Sequence, residues 1–388
     1  MILSASSSST MEARRAGRRD RDPSSTSETG GVWTLSTRNI ICSDPVGTIP
    51  QRQLPNGSAA LSELSLGCAQ LGNLFREIPD AEAQATVDAA WELGVRYVDT
   101  APHYGLGLSE RRLGAALASR PRDAYVISSK VGRLLEPTGN PGGLDDDGFV
   151  VPATHRRVWD FSRDGIRRSL TESLERLGLD RVDIIYLHDP DEHWVEVLET
   201  GYPALAELRD QGVVNAIGAG MNQASMLADI VRETDVDVVM LAGRYTLLEQ
   251  KSLDDLLPLC EERRVGVVAA GVFNSGLLAR PQPQSEAKYD YGTAPRELLD
   301  RARTIAAICD RHGTTLPAAA IAFPLAHPAV ASVCLGARSA KQVQRNVALY
   351  TEPIPADVWS ELKATGLLRA DAPVPASPDD RAATRAGA

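Results

Sequence analysis

Three apolar runs in the sequence each stop at a residue that can carry charge: Val95–Asp99 at a carboxylate, Tyr125–Lys130 at an amine and Val182–His188 at an imidazole. Tyr104 follows Asp99 by five residues, in Asp-Thr-Ala-Pro-His-Tyr. A phenol, with a pKa near about 10, neither gives nor takes protons readily at neutral pH. An ammonium beside it favours the phenolate and lowers that value, and a carboxylate paired to the ammonium holds its charge in place. An imidazole adds a second hydrogen bond at a substrate oxygen. Such a set suits reversible proton transfer at a carbonyl or alcohol oxygen. That is the protein's share of a hydride transfer, in which a nicotinamide supplies or accepts the hydride.

Each of the four has a duller reading alone: Asp99 as a turn cap, Lys130 as a surface lysine, Tyr104 as packing, His188 as a satisfied structural histidine. Together, at the ends of consecutive strands, they read as catalytic. The neighbouring His103 and Asp189 are read as structural.

The elements that must position them alternate along the chain. Short β-branched runs occupy Leu64–Gly67, Val95–Asp99, Tyr125–Lys130, Val182–His188, Val213–Ala219, Val236–Leu241, Val265–Ala270 and Ala331–Leu335. Helical patterns lie between them: Ala81–Leu93 after Asp80 as N-cap, a segment capped by Ser162 and stopped by Gly178, then Tyr202–Gln211, Gln223–Glu233, Ser252–Arg264, Pro295–His312, Leu316–Leu325 and Ala340–Leu349. Strands that are apolar almost throughout are buried on both faces, as parallel strands under helices are. Eight such units predict an α/β fold, a closed (β/α)8 TIM barrel; an open doubly wound sheet would begin with a GxGxxG turn, which Cys68-Ala-Gln-Leu-Gly-Asn is not. Polar residues at C-terminal strand ends then share one rim. The long segments Arg133–Phe161 and Leu277–Pro295 follow strands, so they are expected to gate the substrate, with Trp159, Phe161, Tyr289 and Tyr291 shaping the pocket.

Composition narrows the partners. A net charge of −10 over 388 residues argues against nucleic-acid binding and against docking on an acidic membrane face. The apolar stretch from Leu316 to Ala337 is broken by Pro317, Pro324 and Pro328 into a helix and a strand, so no membrane span is expected. Five cysteines without a CxxC suit a reducing, cytoplasmic setting. Without HxH or HExxH no metal site is expected, and a metal-assisted hydrolase would need ligands on several strands, where only His188 stands at a strand end. Residues 1–56 are expected to be a disordered tail, 57–368 the barrel and 369–388 a second tail. Arg14, Arg15, Arg18, Arg19 and Arg21 hint at a transit peptide, but Glu12, Asp20 and Asp22 among them favour the tail.

Asp99-Thr-Ala-Pro-His-Tyr-Gly-Leu-Gly-Leu-Ser-Glu-Arg-Arg-Leu-Gly114 resembles the aldo-keto reductase superfamily, as do Ser128-Ser-Lys-Val-Gly, Asp183-Ile-Ile-Tyr-Leu-His-Asp, Gly218-Ala-Gly-Met-Asn222 and Val333-Cys-Leu-Gly-Ala-Arg-Ser. The resemblance runs from about Leu61 to Leu368. It implies a (β/α)8 barrel, NADP or NAD as cofactor, and a catalytic tetrad of Asp99, Tyr104, Lys130 and His188. Leu71-Gly-Asn-Leu-Phe75, Arg244-Tyr-Thr-Leu-Leu248 and Gly271-Val-Phe-Asn-Ser-Gly-Leu-Leu278 are similar to the group of D-threo-aldose 1-dehydrogenases (L-fucose dehydrogenases) and pyridoxal 4-dehydrogenases. That group implies oxidation of a sugar hemiacetal to a lactone. The alternatives are a pyridoxal-type or general aldehyde reductase, or a cofactor-binding regulatory subunit with slow turnover. Cofactor contacts are implied at Asn222, Ser275, Gly276, Leu277, Arg338, Gln342 and Asn346, and substrate contacts at Trp159 and Phe161. Ala270 stands where many relatives stack a tyrosine on the nicotinamide, Ala242 or Leu241 where they have a glutamine, and Met221 where they have a serine. Phe273 or Tyr245 is the expected substitute for the tyrosine. The oligomeric state is left open.

Overall fold

The computed structural model describes residues 49–139, 142–290 and 292–376. Cys42, Tyr291, residues 1–48 of the first expected tail with its arginine-rich start, and residues 377–388 of the second lie outside them. Eight strands close into a barrel: β1 Leu64–Gly67, β2 Tyr97–Asp99, β3 Val126–Val131, β4 Ile184–His188, β5 Ala216–Met221, β6 Val238–Ala242, β7 Gly266–Ala270 and β8 Val330–Gly336. Each pairs in parallel with the next, and β8 returns to β1. All eight coincide with the β-branched runs, their ends moved by a few residues.

Alternation along each strand decides what faces inward. Tyr97, Ile184, Tyr186, Val238, Met240 and Val268 form an inner cluster, apart from the larger shell packed between strands and helices. Two residues beyond Tyr97, Ser128 and Tyr186 stand Asp99, Lys130 and His188. The same pleat therefore turns all three into the C-terminal mouth.

The opposite end is plugged by a segment expected to be largely tail. Gln51–Gln53 pairs antiparallel with Ala60–Ser62, and Leu54 and Leu61 reach into the inner cluster. A Cβ at Gly266 would lie 2.4 Å from a Leu54 methyl, so glycine at the start of β7 makes room for the plug. Order also continues past Leu368: Arg369 pairs with Asp254 and Asp371, and Ala372 is buried. Neither boundary, 56 or 369, marks where packing stops.

The helix Arg163–Leu177 begins and ends as its sequence dictates. The Ser162 hydroxyl accepts from Gly165 N, and Gly178 closes it at φ 64°. Asp80 is not a cap: Pro79 occupies that place, and Asp80 instead pairs with Arg112 at 2.7 Å. The apolar stretch resolves into the helix Leu316–Ala322, a turn at Pro324–Ala326, and β8. Among the described residues no helix is long and apolar enough to cross a membrane. The β3 loop is a hairpin, Arg133–Pro137 with His155–Trp159, and the β7 loop carries a shorter one, Lys288–Tyr289 with Gly292–Thr293.

Candidate active site

At the barrel mouth the Lys130 ammonium donates to Asp99 Oδ2 at 2.6 Å, to Thr100 O at 3.1 Å and to Tyr104 Oη at 3.1 Å. It thus spends its three protons on one carboxylate, one carbonyl and the phenol. The other carboxylate oxygen, Asp99 Oδ1, accepts from Ser128 Oγ at 2.7 Å. Ser128 in turn is 3.0 Å from Tyr97 Oη, and Tyr97 Oη is 3.2 Å from Tyr186 Oη. A layer of buried hydroxyls therefore props the Asp99–Lys130 pair from below. Tyr104 comes from the loop after β2, whose close approach to Gly72 leaves no room for a side chain there: a Cβ on Gly72 would meet the Tyr104 carbonyl at 2.6 Å. The His188 ring lies 5.9 Å from the Tyr104 ring, edge to face.

Burial alone would pull the Lys130 amine down, but Asp99 and then Tyr104 outweigh it, and the net direction is up. It is an ammonium at neutral pH. For Tyr104, burial pushes the phenol up and the Lys130 ammonium offsets only part of that, so it stays protonated near neutrality. Here the structure departs from the sequence expectation: the lysine pulls in the expected direction, but desolvation is larger. Burial, then the charges of Arg133 and Lys130, hold His188 well below the usual imidazole range, so its ring is neutral. Its Nδ1 has no hydrogen-bond partner among the described residues. The site therefore offers a neutral phenol and a neutral imidazole, with one fixed cation beneath the phenol.

Asp99, Tyr104, Lys130 and His188 line one cavity of about 610 Å³. It shares Gln70, Asn222, Ala242, Gly271, Cys334 and Gly336 with a second cleft of about 500 Å³. Ala242, which lines both, and Ala270, which lines the first, carry only methyl groups. Ser275, Gly276, Arg338, Gln342 and Asn346 line the second cleft, with Phe273. Leu277 does not: its side chain is packed in the helix–strand shell. Nor does Tyr245, whose ring is buried 5.0 Å from Phe323 and 5.6 Å from His327, which removes it as a nicotinamide platform. Trp159 lines the catalytic cavity, whereas Phe161 is buried behind it, the rings stacked at 5.8 Å. Tyr289 donates to Glu249 and is not in the lining.

Several lining residues were not singled out from the sequence. His103 and Asp189, read as structural, both face the catalytic cavity, and so does Arg133. Gln70 and Asn274 line the second cleft, and each keeps a buried side-chain oxygen without a partner among the described residues. Asn274, Ser275 and Gly276 have φ of 45°, 55° and 96°, a left-handed turn that Asn-Ser-Gly signals in the sequence. Arg338 lies just before the start of the helix Ala340–Thr351, where an anion is favoured, and Arg345, inside that helix, also lines the cleft and donates to Ala279 O. Unpartnered acceptors and cations in one cleft suit an elongated ligand bearing amide, hydroxyl and phosphate groups. Elsewhere, Asp145, Asp146 and Asp147 cluster, but Arg157 pairs with two of them at 2.6 and 2.7 Å.

Comparison with known proteins agrees with this architecture. Residues 63–366 match the aldo/keto reductase family. D-threo-aldose 1-dehydrogenase of a Pseudomonas species is 51% identical over 313 residues, 80% of this chain and 95% of that protein. Pyridoxal 4-dehydrogenase of Microbacterium luteolum is 39% identical over 82% of this chain and 98% of its own length. Among solved structures, the holo form of an aldo-keto reductase from Bacillus halodurans superposes with a TM-score of 0.65 at 27% identity, covering 83% of this chain and 97% of that one. A closed eight-stranded barrel, a match over most of its length and relatives of this similarity lead to one conclusion: the chain belongs to the aldo/keto reductase family, oxidoreductases that use a nicotinamide cofactor on small-molecule substrates.

Proposed function

We propose that the protein oxidises an aldose of the L-fucose type at its anomeric carbon to the lactone, with NADP or NAD as acceptor. The observation that carries the reading is the meeting of Tyr104, Lys130 and His188 in a cavity that opens onto the second cleft. The choice of a sugar is supported by the 51% identity to D-threo-aldose 1-dehydrogenase. A nicotinamide held there would supply the acceptor for the hydride of C1. Tyr104, as phenolate, takes the proton of the anomeric hydroxyl while the C1–O bond becomes the lactone carbonyl. Lys130 stabilises that phenolate, and Asp99 keeps the lysine charged and in place. His188, being neutral, hydrogen-bonds the same oxygen and leaves proton transfer to Tyr104. Asn222 would hold the carboxamide, Ser275 and Gly276 the middle of the dinucleotide, and Arg338, Gln342 and Asn346 its adenosine end. Four described cysteines, all buried and free, go with a cytoplasmic site of action.

The test is a panel of NADP or NAD with L-fucose, D-arabinose and pyridoxal, followed by absorbance of the reduced cofactor and by product analysis. A lactone from a sugar is expected. Faster turnover of pyridoxal than of any sugar would move the assignment to the reaction named for the 39% identical relative, and no turnover of any alcohol or aldehyde would overturn the reading. The Arg338 guanidinium makes no salt bridge among the described residues and would meet an adenosine 2′-phosphate. Arg338→Ala should therefore raise KM for NADP about tenfold more than KM for NAD. Equal effects on both would remove Arg338 from 2′-phosphate recognition.

A further inference from the structure

Directly after His188, Asp189 adopts φ 41°, in the left-handed region, and its backbone N–H donates to Gly220 O at 3.0 Å. The residue lines the catalytic cavity, with Oδ2 3.7 Å from His188 Nε2. That carboxylate is ion-paired to Arg133, the first residue of the β3 hairpin. The Arg133 guanidinium lies over the Trp159 indole, 4.2 Å from the ring centroid, and its Nη1 is 3.3 Å from His103 Nδ1. One wall of the cavity, next to His188, thus carries a planar set of donors, backed by the indole it lies on, and a carboxylate acceptor. Asp191 and Glu192 add carboxylates to the same lining, which disfavours an anionic substrate. Neighbouring ring hydroxyls present donors and acceptors side by side, which a carboxylate and a guanidinium standing next to each other match.

We propose that the Arg133–Asp189 pair is the hydroxyl clamp of this site: it binds vicinal ring hydroxyls of the aldose, with Trp159 holding the guanidinium in place from behind, and sets the preference for polyhydroxylated over hydroxyl-poor hemiacetals. The clamp rests on the aldose reading above. It assigns to two residues a role in specificity and none in the proton transfer itself.

The experiment compares L-fucose with 2-hydroxytetrahydropyran, a cyclic hemiacetal with the same C1 chemistry and no other ring hydroxyl, on the full chain as wild type, Asp189→Asn and Arg133→Met. The ratio of kcat/KM for the sugar to kcat/KM for the lactol should fall about 10- to 100-fold in each variant, the range for losing a hydrogen bond to a charged group, and the fall should lie chiefly in KM for the sugar. If Asp189 serves only to orient His188, both substrates suffer alike and the ratio stays put, which overturns the clamp. Asp189→Asn keeps the shape of the side chain, so the test stands even if Arg133→Met does not fold. A wild type that oxidises the lactol as well as any aldose overturns the aldose reading and the clamp with it. A wild type that prefers the sugar, and keeps that preference in both variants, overturns the clamp alone.

Discussion

The buried Asp99–Lys130 pair separates stability from chemistry in a way that two substitutions expose. Both side chains are 3% exposed and 2.6 Å apart. Lys130→Met leaves the Asp99 carboxylate buried without its counter-charge, which should cost about 3–5 kcal/mol of folding stability. Adding Asp99→Asn removes the second charge as well, and the amide oxygen can still accept from Ser128. The double variant should therefore return to within about 1 kcal/mol of wild type, as neutral replacements of buried pairs commonly do. Activity should not return. The ammonium is 3.1 Å from the Tyr104 oxygen. Coulomb's law at that distance gives about 5 kcal/mol at an effective dielectric of 20 and about 1.3 kcal/mol in water, so losing the charge raises the phenol by about one to four pH units. Aldose oxidation at fixed pH should fall about 10- to 10,000-fold in both the single and the double variant. Urea denaturation and initial rates on the same preparations read the two quantities. A double variant that regains both stability and activity would refute the role given to the ammonium, and a Lys130→Met protein as stable as wild type would refute the burial argument.

Burial holds the Tyr104 phenol above its ordinary range, oxidation needs its phenolate and reduction its phenol. Aldose oxidation should accordingly rise from about pH 7 to about pH 9 while the reverse reduction, whose phenol stays protonated over that span, changes little, as initial rates in both directions would read; an oxidation rate that is flat or falling over that span would contradict the assignment. Leu54→Ala, in the plug, should cost about 2–5 kcal/mol in denaturant titrations while the folded fraction keeps its kcat, since the plug lies at the barrel end away from the chemistry.

Much of this was legible in the sequence, for identifiable reasons. A strand covered on both faces must be apolar along its length, so Val182–His188 announces both a barrel strand and the point where the covering ends. His188, Lys130 and Asp99 stand out because each interrupts such a run. What hid was decided by packing. Gln51–Gln53 is a three-residue strand without an apolar residue, and only Leu54 and Leu61 pressed into the barrel give it a place. Leu277, Tyr245 and Phe161 carry no signal for which way they face, and all three turn inward to the protein and away from the cavities. Asp189 follows a strand end, where a turn aspartate is commonplace; its placement in the cavity comes from a left-handed backbone that no spacing reveals. The direction of the Tyr104 shift hid for the same reason, because the sequence shows a neighbouring charge but not the depth of burial.

Proton transfer in this site rests on the phenol of Tyr104. Tyr104→Phe removes one oxygen, leaves the ring against His103, Phe149 and His188, and spares the second cleft. Cofactor affinity, read by quenching of protein fluorescence, should stay within about twofold of wild type, while aldose oxidation falls by about 100- to 10,000-fold, the share of a positioned acid–base group. A Tyr104→Phe protein that binds cofactor and still oxidises sugar at more than a tenth of the wild-type rate would contradict the claim.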